Sequence, residues 1–364
     1  MKMQCRSCTS VAHHNPLHCL IPPYMTEKLS RSSDPKIRNI AIANLVAAAE
    51  FRTERRAQTL LAQIPSAPSA AQRKNRQVFS AGGRNTLPGK PVRAEGNPAH
   101  ADPAVNEAYD YSGTTYDFYS KLFNRNSLDD AGMSLISTVH LSEAGGQPLN
   151  NAFWNGQQMA YGDGDGILFS RFTQSLDVVG HELTHGVQAF TSNLMYQGES
   201  GALNEHFADV FGILIRQWKR KESADQSDWL IGKEVLIPLK KNAEAGASRR
   251  AIRDMLNPGT AYRNDPYLGD DPQPNHYAKR YKGAADNGGV HLNSGIANRA
   301  FALTAKSLGG NAWEVAGKIW YDTMLQLSRN SGFADCARVS IQIAAAHSGA
   351  AGKAVKGAWK SVGL

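Results

Sequence analysis

Cysteine is nearly absent from the greater part of this 364-residue sequence. Cys5, Cys8 and Cys19 lie within the first twenty residues, and Cys336 is the only later one. The chain beyond residue 20 therefore cannot form an internal disulfide, and a region of that size does not need one because it buries a large core. At roughly 100–200 residues per domain, the length predicts two packed domains behind an N-terminal segment.

Long hydrophobic runs are also missing. The longest largely apolar stretch, residues 40–51, is interrupted by Asn44 and Glu50, and it is shorter than the roughly 20 residues of a membrane-spanning helix. Lys2 and Arg6 resemble the start of a signal peptide, but no apolar core of about 7–15 residues follows them. We therefore predict no transmembrane helix, no membrane partner and no standard signal peptide.

Acidic residues are scarce only at the N-terminal end. Residues 1–99 contain 15 Lys and Arg against 5 Asp and Glu, whereas residues 100–364 contain 25 against 27. The net charge of +8 therefore belongs to the N-terminal end. No base-reading motif accompanies this charge, so we interpret it as a solvated, cleavable leader and expect no nucleic-acid partner.

The N-terminal segment also contains residues of metal-ligand type. They are Cys5, Cys8, His13, His14, His18 and Cys19. Their spacing matches no zinc-finger pattern, so we favour a segment without structural zinc.

Three zones follow along the chain. Residues 1–60 hold a proline pair and a helical pattern that begins at Asp34, a good N-cap, and runs to about Ala57. Residues 61–75 are rich in Ala, Pro and Ser and then basic, which is typical of a linker open to proteases. Strands and hairpins are predicted from about Gln77, and helices from about Leu176 to the C-terminus. This order predicts an α+β fold.

The segment VVGHELTHGV at residues 178–187 carries a zinc-site pattern. His181 and His185 are four residues apart, so on a helix their rings project from one face and can share one metal ion. Glu182 lies beside them, where it can act as a general base on a metal-activated water. Because this short pattern also arises by chance, further residues have to support it.

The segment GALNEHFADVFG at residues 201–212 supplies such support. Glu205 offers the third protein ligand that a catalytic zinc requires, and Asp209 can accept the free N–H of a ligand histidine. The helix around these acids is largely apolar, so an exposed acidic face does not explain them. Zinc sites of the HExxHxxGxxH type would require a third histidine at position 188 or 191, and neither position holds one. That type of site is therefore excluded.

A third cluster lies at residues 286–295, in DNGGVHLNSG. The glycine pair permits a tight turn that brings Asp286 to His291. An imidazole held by a carboxylate is a good donor to the oxyanion that forms when a peptide carbonyl is attacked.

These motifs, in this order, resemble those of thermolysin-family zinc endopeptidases. The segments that carry the resemblance are HELTH (181–185), GALNEHFADVFG, NNAFWNGQQMAYGDGDG (150–166) and DNGGVHLNSG. It extends from about residue 77 to the C-terminus. The N-terminal CLIPPYMTEKL (19–29) resembles the short propeptide of the protealysin-type branch. The resemblance implies a propeptide over 1–60, a maturation region over 61–75, a β-rich domain with the zinc helix over 76–188 and a helical domain over 189–364.

The resemblance also implies roles for individual residues. Zinc would be bound by His181, His185 and Glu205, with Glu182 as general base. Tyr196 and His291 would stabilise the tetrahedral intermediate, and Asp286 would orient His291. Asp209 and Asn204 would contact the zinc ligands without binding the metal, and Asp209 would orient His181. The residues implied for the substrate backbone are Asn151, Ala152 and Arg253, and those lining the primed-side pocket are Phe169, Phe172, Val178 and Ile252. The apolar pocket favours cleavage before a bulky hydrophobic residue.

One departure concerns calcium. The family's double calcium site retains Asp177 and Asp228 here, but its other positions read Arg216, Leu230 and Lys233. A calcium ion needs six to eight oxygen ligands, so we predict that this double site binds none. The DGDG at 163–166 supplies two acids and is interpreted as a tight turn at the cleft edge.

The resulting prediction is a zinc endopeptidase made as a precursor and acting on peptides and proteins. We expect a secreted monomer that interacts with its own propeptide and is open to a proteinaceous inhibitor; a cytoplasmic precursor is the alternative location. A zinc aminopeptidase shares the zinc pattern, but it needs an acidic subsite for the free amine of its substrate, and this sequence shows no motif for one. A latent precursor that acts by binding, and a Cys19 thiolate that reaches the zinc, are further alternatives.

Overall fold

The N-terminal segment is folded against the rest of the protein. The structure is a computed structural model that describes residues 18–46, 73–239 and 244–364. Strand β1 (His18–Cys19) is followed by helix α1 (Pro23–Leu29) and by helix α2, which is described over 35–46. Asp34 caps α2, because its Oδ1 accepts hydrogen bonds from the amides of Lys36 and Ile37. The predicted start of this helix agrees with the structure.

Several predictions fall outside the described residues. They concern Cys5, Cys8, His13 and His14, the side chains of His18 and Cys19, the end of the helix near Ala57, and the linker up to residue 72.

A six-stranded sheet forms the first half of the protein. Its further strands are β2 (Arg76–Arg84), β3 (Lys90–Ala94), β4 (Leu135–Leu141), β5 (Ala152–Trp154) and β6 (Met159–Gly162). The strand order is β1-β5-β6-β4-β2-β3, and β4 runs parallel to both of its neighbours. β1 pairs antiparallel with β5, which would otherwise be an edge strand with unpaired backbone groups. The N-terminal segment thus completes the sheet.

Helix α3 (Pro103–Phe123) packs against this sheet, although the sequence interpretation expected strands there. Its buried face contains Tyr109, Tyr116, Phe118 and Tyr119, residue types that favour strands by propensity. The signal that identifies the helix is Asp102, which caps it through the amide of Ala104, followed by proline at the first helical position. The prediction of strands and hairpins up to about Leu176 is therefore wrong over this helix.

Two buried helices form the centre of the molecule. They are α4 (Leu176–Ala189) and α5 (Gly198–Arg220). Glycines allow their close approach: a Cβ atom at Gly212 would lie 2.5 Å from the carbonyl oxygen of Asp177 and 3.3 Å from the Cβ of His181. A side chain at Gly212 would therefore push α4 away from α5 and change the spacing of the groups between them.

The second half of the protein is mainly helical. Short strands β7 (Leu230–Ile231), β8 (Ser248–Arg249), β9 (Arg253–Asp254) and β10 (Tyr262–Arg263) precede helices α6 (Ala285–Leu308), α7 (Ala316–Gln326), α8 (Phe333–His347) and α9 (Gly349–Ser361). A sheet-rich first half and a helical second half confirm the predicted α+β fold.

Among the described residues, no helix combines the length and apolar character needed to cross a bilayer.

In α7, Ile319 and Trp320 are buried, whereas Leu325 is 47% exposed. Leu325 lies five residues after Trp320, which places it on the far side of the helix, whereas Met324 follows at the core spacing and is fully buried.

Candidate active site

Helix α4 brings the two predicted histidine ligands together. The Nε2 atoms of His181 and His185 face each other at 3.1 Å, and both rings are buried. The Nδ1 atom of His181 lies 2.8 Å from Asp209 Oδ1, and that of His185 lies 2.8 Å from Asn204 Oδ1. Because the Nδ1 atoms are engaged by acceptors, both Nε2 atoms are directed at the same point.

Helix α5 supplies the carboxylate at that point. Glu205 Oε2 lies 3.5 Å from His181 Nε2, and Glu205 Oε1 lies 3.6 Å from His185 Nε2. Glu205 is fully buried, and its Oε2 atom makes no hydrogen bond. The ligand atoms of the three residues all lie within 4.8 Å of one another.

This arrangement fits a zinc ion. With Zn–N bonds of about 2.0–2.1 Å and tetrahedral angles, two ligand nitrogens lie about 3.3 Å apart, close to the separation of the two Nε2 atoms. A buried acid beside two imidazoles whose outer nitrogens are engaged is also the donor set that zinc prefers.

Asp209 connects the zinc-ligand side of the site with Arg253. Its Oδ1 accepts from His181 and from Arg253 Nη2 at 2.7 Å, and its Oδ2 accepts from Arg253 Nε at 2.8 Å. Burial raises the pKa of Asp209, but the charge of Arg253 and the hydrogen bond from His181 outweigh it and lower that pKa. Burial lowers the pKa of His181, but Asp209 and Glu205 together raise it to about 9.

Glu182 is anchored to the sheet. Its Oε2 atom accepts a hydrogen bond of 3.0 Å from the backbone amide of Trp154 in β5. The carboxylate is therefore held between α4 and the strand that borders the cleft, one residue from His181.

Tyr196 and His291 lie on the other side of the ligand cluster. The Tyr196 hydroxyl donates to Glu205 Oε1 and lies 3.1 Å from His291 Nε2. Asp286 accepts from the backbone amide of His291 at 2.8 Å and contacts its Nδ1 at 2.6 Å. The turn at residues 286–289 makes this possible, because all four residues adopt positive φ. Burial lowers the pKa of His291, but Glu205 and Asp286 outweigh it and raise it to about 9.

The N-terminal segment occupies the adjoining cleft. The Ile21 amide donates to Asn151 Oδ1 at 3.1 Å, and the Leu20 amide donates to the Ala152 carbonyl at 3.3 Å. Arg253 Nη1 donates to the Leu20 carbonyl at 3.0 Å. The three residues that the resemblance assigned to the substrate backbone therefore all bond to this segment.

The predicted pocket residues are entirely buried. They are Phe169, Phe172, Val178 and Ile252. The rings of Phe169 and Phe172 lie 5.9 Å apart, and Ile252 immediately precedes Arg253. The side chain of Leu20, whose carbonyl Arg253 holds, is also fully buried.

Sequence comparison identifies the family. The catalytic-domain model of the thermolysin metallopeptidases matches residues 66–189, and the model of their alpha-helical domain matches residues 192–364. The chain belongs to the thermolysin metallopeptidase family. The predicted family and its peptide-hydrolysing metalloprotease activity are thereby confirmed.

Individual relatives extend this finding to the N-terminal segment. The chain is 44% identical over 352 residues to an extracellular metalloprotease of Pectobacterium carotovorum subsp. carotovorum, covering 96% of this chain and 97% of the relative. It is 48% identical over 295 residues to Protease PrtS of Photorhabdus sp. (strain Az29), covering 80% of this chain and 76% of the relative. The solved precursor of protealysin, a metalloproteinase from Serratia proteamaculans, superposes with a TM-score of 0.83 at 43% identity, covering 95% of this chain and 99% of that one. The prediction of a zinc endopeptidase made as a precursor is confirmed at this level.

The residues that the resemblance assigned to the double calcium site form ion pairs with one another. Arg216 is buried, its Nη1 lies 3.1 Å from Asp177 Oδ2, and its Nη2 bonds to Asp228 Oδ1. Lys233 Nζ lies 3.0 Å from Asp228 Oδ2. In the DGDG turn, Asp165 Oδ1 accepts from three successive backbone amides, those of residues 167–169.

Sequence reasoning missed two contributors to this region. Asn44 in α2 donates to the Pro148 carbonyl at 2.8 Å and accepts from the Asn150 amide at 2.7 Å, which fixes the backbone just before Asn151. Glu234 reaches both Ser175 and Arg220 beside the arginine ion pairs. Asn44 gives no local signal of this role because the two groups that it holds near Asn151 lie more than a hundred residues away.

Proposed function

We propose that this thermolysin-family enzyme hydrolyses internal peptide bonds on the N-terminal side of bulky hydrophobic residues, with zinc held by His181, His185 and Glu205. The observation that carries this proposal is the convergence of the three ligands, with Glu182 one residue from the first of them. Zinc at this site would supply a Lewis acid that polarises a carbonyl and lowers the pKa of water to about 7.

Glu182 acts as the general base. Its carboxylate is fixed by the Trp154 amide at the border of the cleft. In this position it takes the proton of the attacking water and later returns it to the leaving amine.

Tyr196 and His291 donate hydrogen bonds to the oxygen on which negative charge develops. Both carry polar hydrogens toward the ligand cluster, and Asp286 fixes the ring of His291 through Nδ1. With zinc bound, part of the charge of Glu205 would be cancelled, and Asp286 would be the main support for a protonated His291. Donors oriented in advance of the reaction stabilise the oxyanion strongly in a buried site.

The contacts of the N-terminal segment support an endopeptidase rather than an aminopeptidase. Residues 18–19 pair with β5 before Leu20, and the chain continues through Ile21 into α1. The cleft therefore accommodates polypeptide on both sides of the buried Leu20. Asn151, Ala152 and Arg253 would hold a substrate backbone in the same way, and Phe169, Phe172, Val178 and Ile252 would line the pocket for a bulky side chain.

The same contacts support latency of the precursor. A chain that occupies the substrate-binding groups has to leave before a substrate can bind. We place the propeptide at 1–60, the maturation region at 61–75, and the two enzyme domains at 76–188 and 189–364. Participation of the Cys19 thiol stays a prediction, which unchanged latency of a Cys19→Ser variant would contradict.

The replaced calcium site supports an enzyme that does not depend on calcium there. The Arg216 guanidinium lies between the two remaining acids, where a cation would have to bind. We expect millimolar Ca²⁺ to raise the Tm of an Arg216→Glu variant more than that of the unaltered chain. An equal rise in both chains would contradict this proposal.

The relatives support a location outside the cell, because one of them is named an extracellular metalloprotease. We propose that this chain is exported as well, acts as a monomer on peptides and proteins, and can be blocked by a proteinaceous inhibitor that binds the cleft.

The test compares Glu182→Gln with the unaltered chain. Loss of the general base should lower kcat by about 10²–10⁴-fold on an end-blocked peptide with a Gly–Leu bond. Zinc content should stay at one ion per chain, and the precursor should no longer remove its own propeptide by cleavage within residues 61–75. Glu314→Gln, on the surface of the second half, serves as the control and should behave like the unaltered chain. Retained turnover in Glu182→Gln would contradict the assignment.

A further inference from the structure

A chain of buried hydrogen bonds extends from Asp209 away from the active site. Asn298 in α6 donates from Nδ2 to Asp209 Oδ2 at 2.8 Å. Its Oδ1 lies 2.8 Å from His206 Nδ1, and His206 Nε2 accepts from the indole Nε1 of Trp320 at 2.7 Å. All four side chains are fully buried, so no water competes for these groups.

Trp320 determines the direction of every bond in this chain. An indole N–H can only donate, so the facing Nε2 of His206 has to be an unprotonated acceptor. The ring proton of His206 is then on Nδ1, which donates to Asn298 Oδ1. The carbamoyl group of Asn298 is thereby oriented with its NH₂ toward Asp209.

The Asp209 carboxylate, at the end of this series of hydrogen bonds, contacts groups on both sides of the catalytic cleft. Asp209 accepts one bond from His181 and two from Arg253 as well as the bond from Asn298. These four bonds use the capacity of a carboxylate, so its orientation is fully determined. If Asn298 turned its oxygen toward Asp209, two acceptors would meet in a buried site and the carboxylate would shift.

We propose that Trp320, His206 and Asn298 are positioning residues for Asp209 and, through it, for the zinc ligand His181 and the substrate-binding Arg253. This inference rests on the zinc site proposed above. His206 lies on α5, Asn298 on α6 and Trp320 on α7, so these hydrogen bonds also link the helical domain to the cleft.

Trp359 provides a matched control. Its buried indole donates to Ser340 Oγ at 2.9 Å, away from the active site, and its ring stacks on Trp320 with a centroid separation of 6.5 Å. Trp320→Phe and Trp359→Phe therefore remove the same donor from adjacent buried rings, but only the first removes the donor to His206.

The experiment measures zinc affinity by competition with a chromophoric chelator, in full-length Glu182→Gln protein so that self-cleavage does not interfere. Losing a direct outer-shell partner of a metal site costs about 10–100-fold in affinity, and we expect the lower end, about 10-fold, for Trp320→Phe. Trp359→Phe should lower the Tm to a similar extent and leave zinc affinity unchanged. In chains with Glu182 intact, Trp320→Phe should also raise KM, because Arg253 is less well fixed. Equal zinc affinities in the two variants would overturn the proposal.

Two further measurements test the proposal even if the Trp320→Phe variant does not fold. Asn298→Asp places a carboxyl against Asp209, and its zinc affinity relative to the unaltered chain should fall as pH rises and that carboxyl ionises. Nitrogen-15 spectra of histidine-labelled, unaltered protein should show His206 protonated at Nδ1, and an Nε2-protonated ring would also overturn the proposal. If no form of the chain binds zinc, the proposed function fails rather than this inference.

Discussion

Two clusters of charge involve the same antiparallel pair of helices, α4 and α5, and they obtain their positive charge differently. In the zinc cluster, the proposed ligands His181, His185 and Glu205 converge on one point, which calls for a cation from outside the chain. In the arginine cluster, Arg216 of the chain itself lies between Asp177 and Asp228. The first arrangement can supply Lewis acidity, whereas the second can supply only stability. The two fully buried acids, Glu205 and Asp177, thus belong to a proposed reactive centre and to an ion pair, depending on the residue opposite.

The largest expected effect comes from breaking the zinc cluster. His185→Ala removes one of three protein ligands, so zinc should be lost and kcat/KM should fall more than about 10³-fold, beyond the 10–100-fold typical of outer-shell losses. The chain should still fold, because its core and the arginine cluster are intact. Metal analysis, peptide hydrolysis and circular dichroism check this prediction, and full zinc occupancy in the variant would refute it.

Breaking the arginine cluster should affect stability instead. Arg216→Met leaves Asp177 buried without its cation, which should cost about 3–5 kcal/mol in the free energy of unfolding. Folded molecules should keep their zinc and their activity. Urea unfolding of the Glu182→Gln protein measures the loss. Lys233→Met, which removes the half-exposed partner of Asp228, should cost less than about 1 kcal/mol. Equal losses in the two variants would show that Arg216 is not the essential cation.

A third cluster of charge contains a cation, His140, that can lose its proton and with it its charge. His140 contacts Asp102 at 2.6 Å and Asp163 at 2.8 Å, and these carboxylates, Asp163 first, raise its pKa to about 9 against the effect of burial. The folded pKa is above the usual value near 6.5, so this stabilisation is complete below about pH 6.5 and is lost as pH rises through about 9.

His140→Gln tests this cluster. Because the histidine and Asp163 are partly exposed, the loss should be only about 1–2 kcal/mol at pH 6. The difference between the variant and the unaltered chain should vanish by about pH 10. A difference that does not depend on pH would show that packing, not charge, accounts for the effect of His140.

Much of the catalytic centre could be predicted because its signals are local. The spacing of His181 and His185 determines a shared helix face, and Asp286 reaches His291 across only five residues. Helix α3 was not predicted, because its aromatic residues favour strands and its packing against the sheet overrides that preference. The cap at Asp102 was the available signal.

The sequence by itself indicated the proposed ligand types, the helix that presents them, the two-part fold and the presence of Arg216 where the resemblance implied a calcium ligand. Tertiary structure decided which distant groups complete these features. Arg253 and Leu20 are 233 residues apart, and Trp320 and His206 are 114 apart, so no local pattern relates them. Their contacts arise because a buried donor or acceptor without a partner is costly, and packing the two halves together provides each of these groups with one.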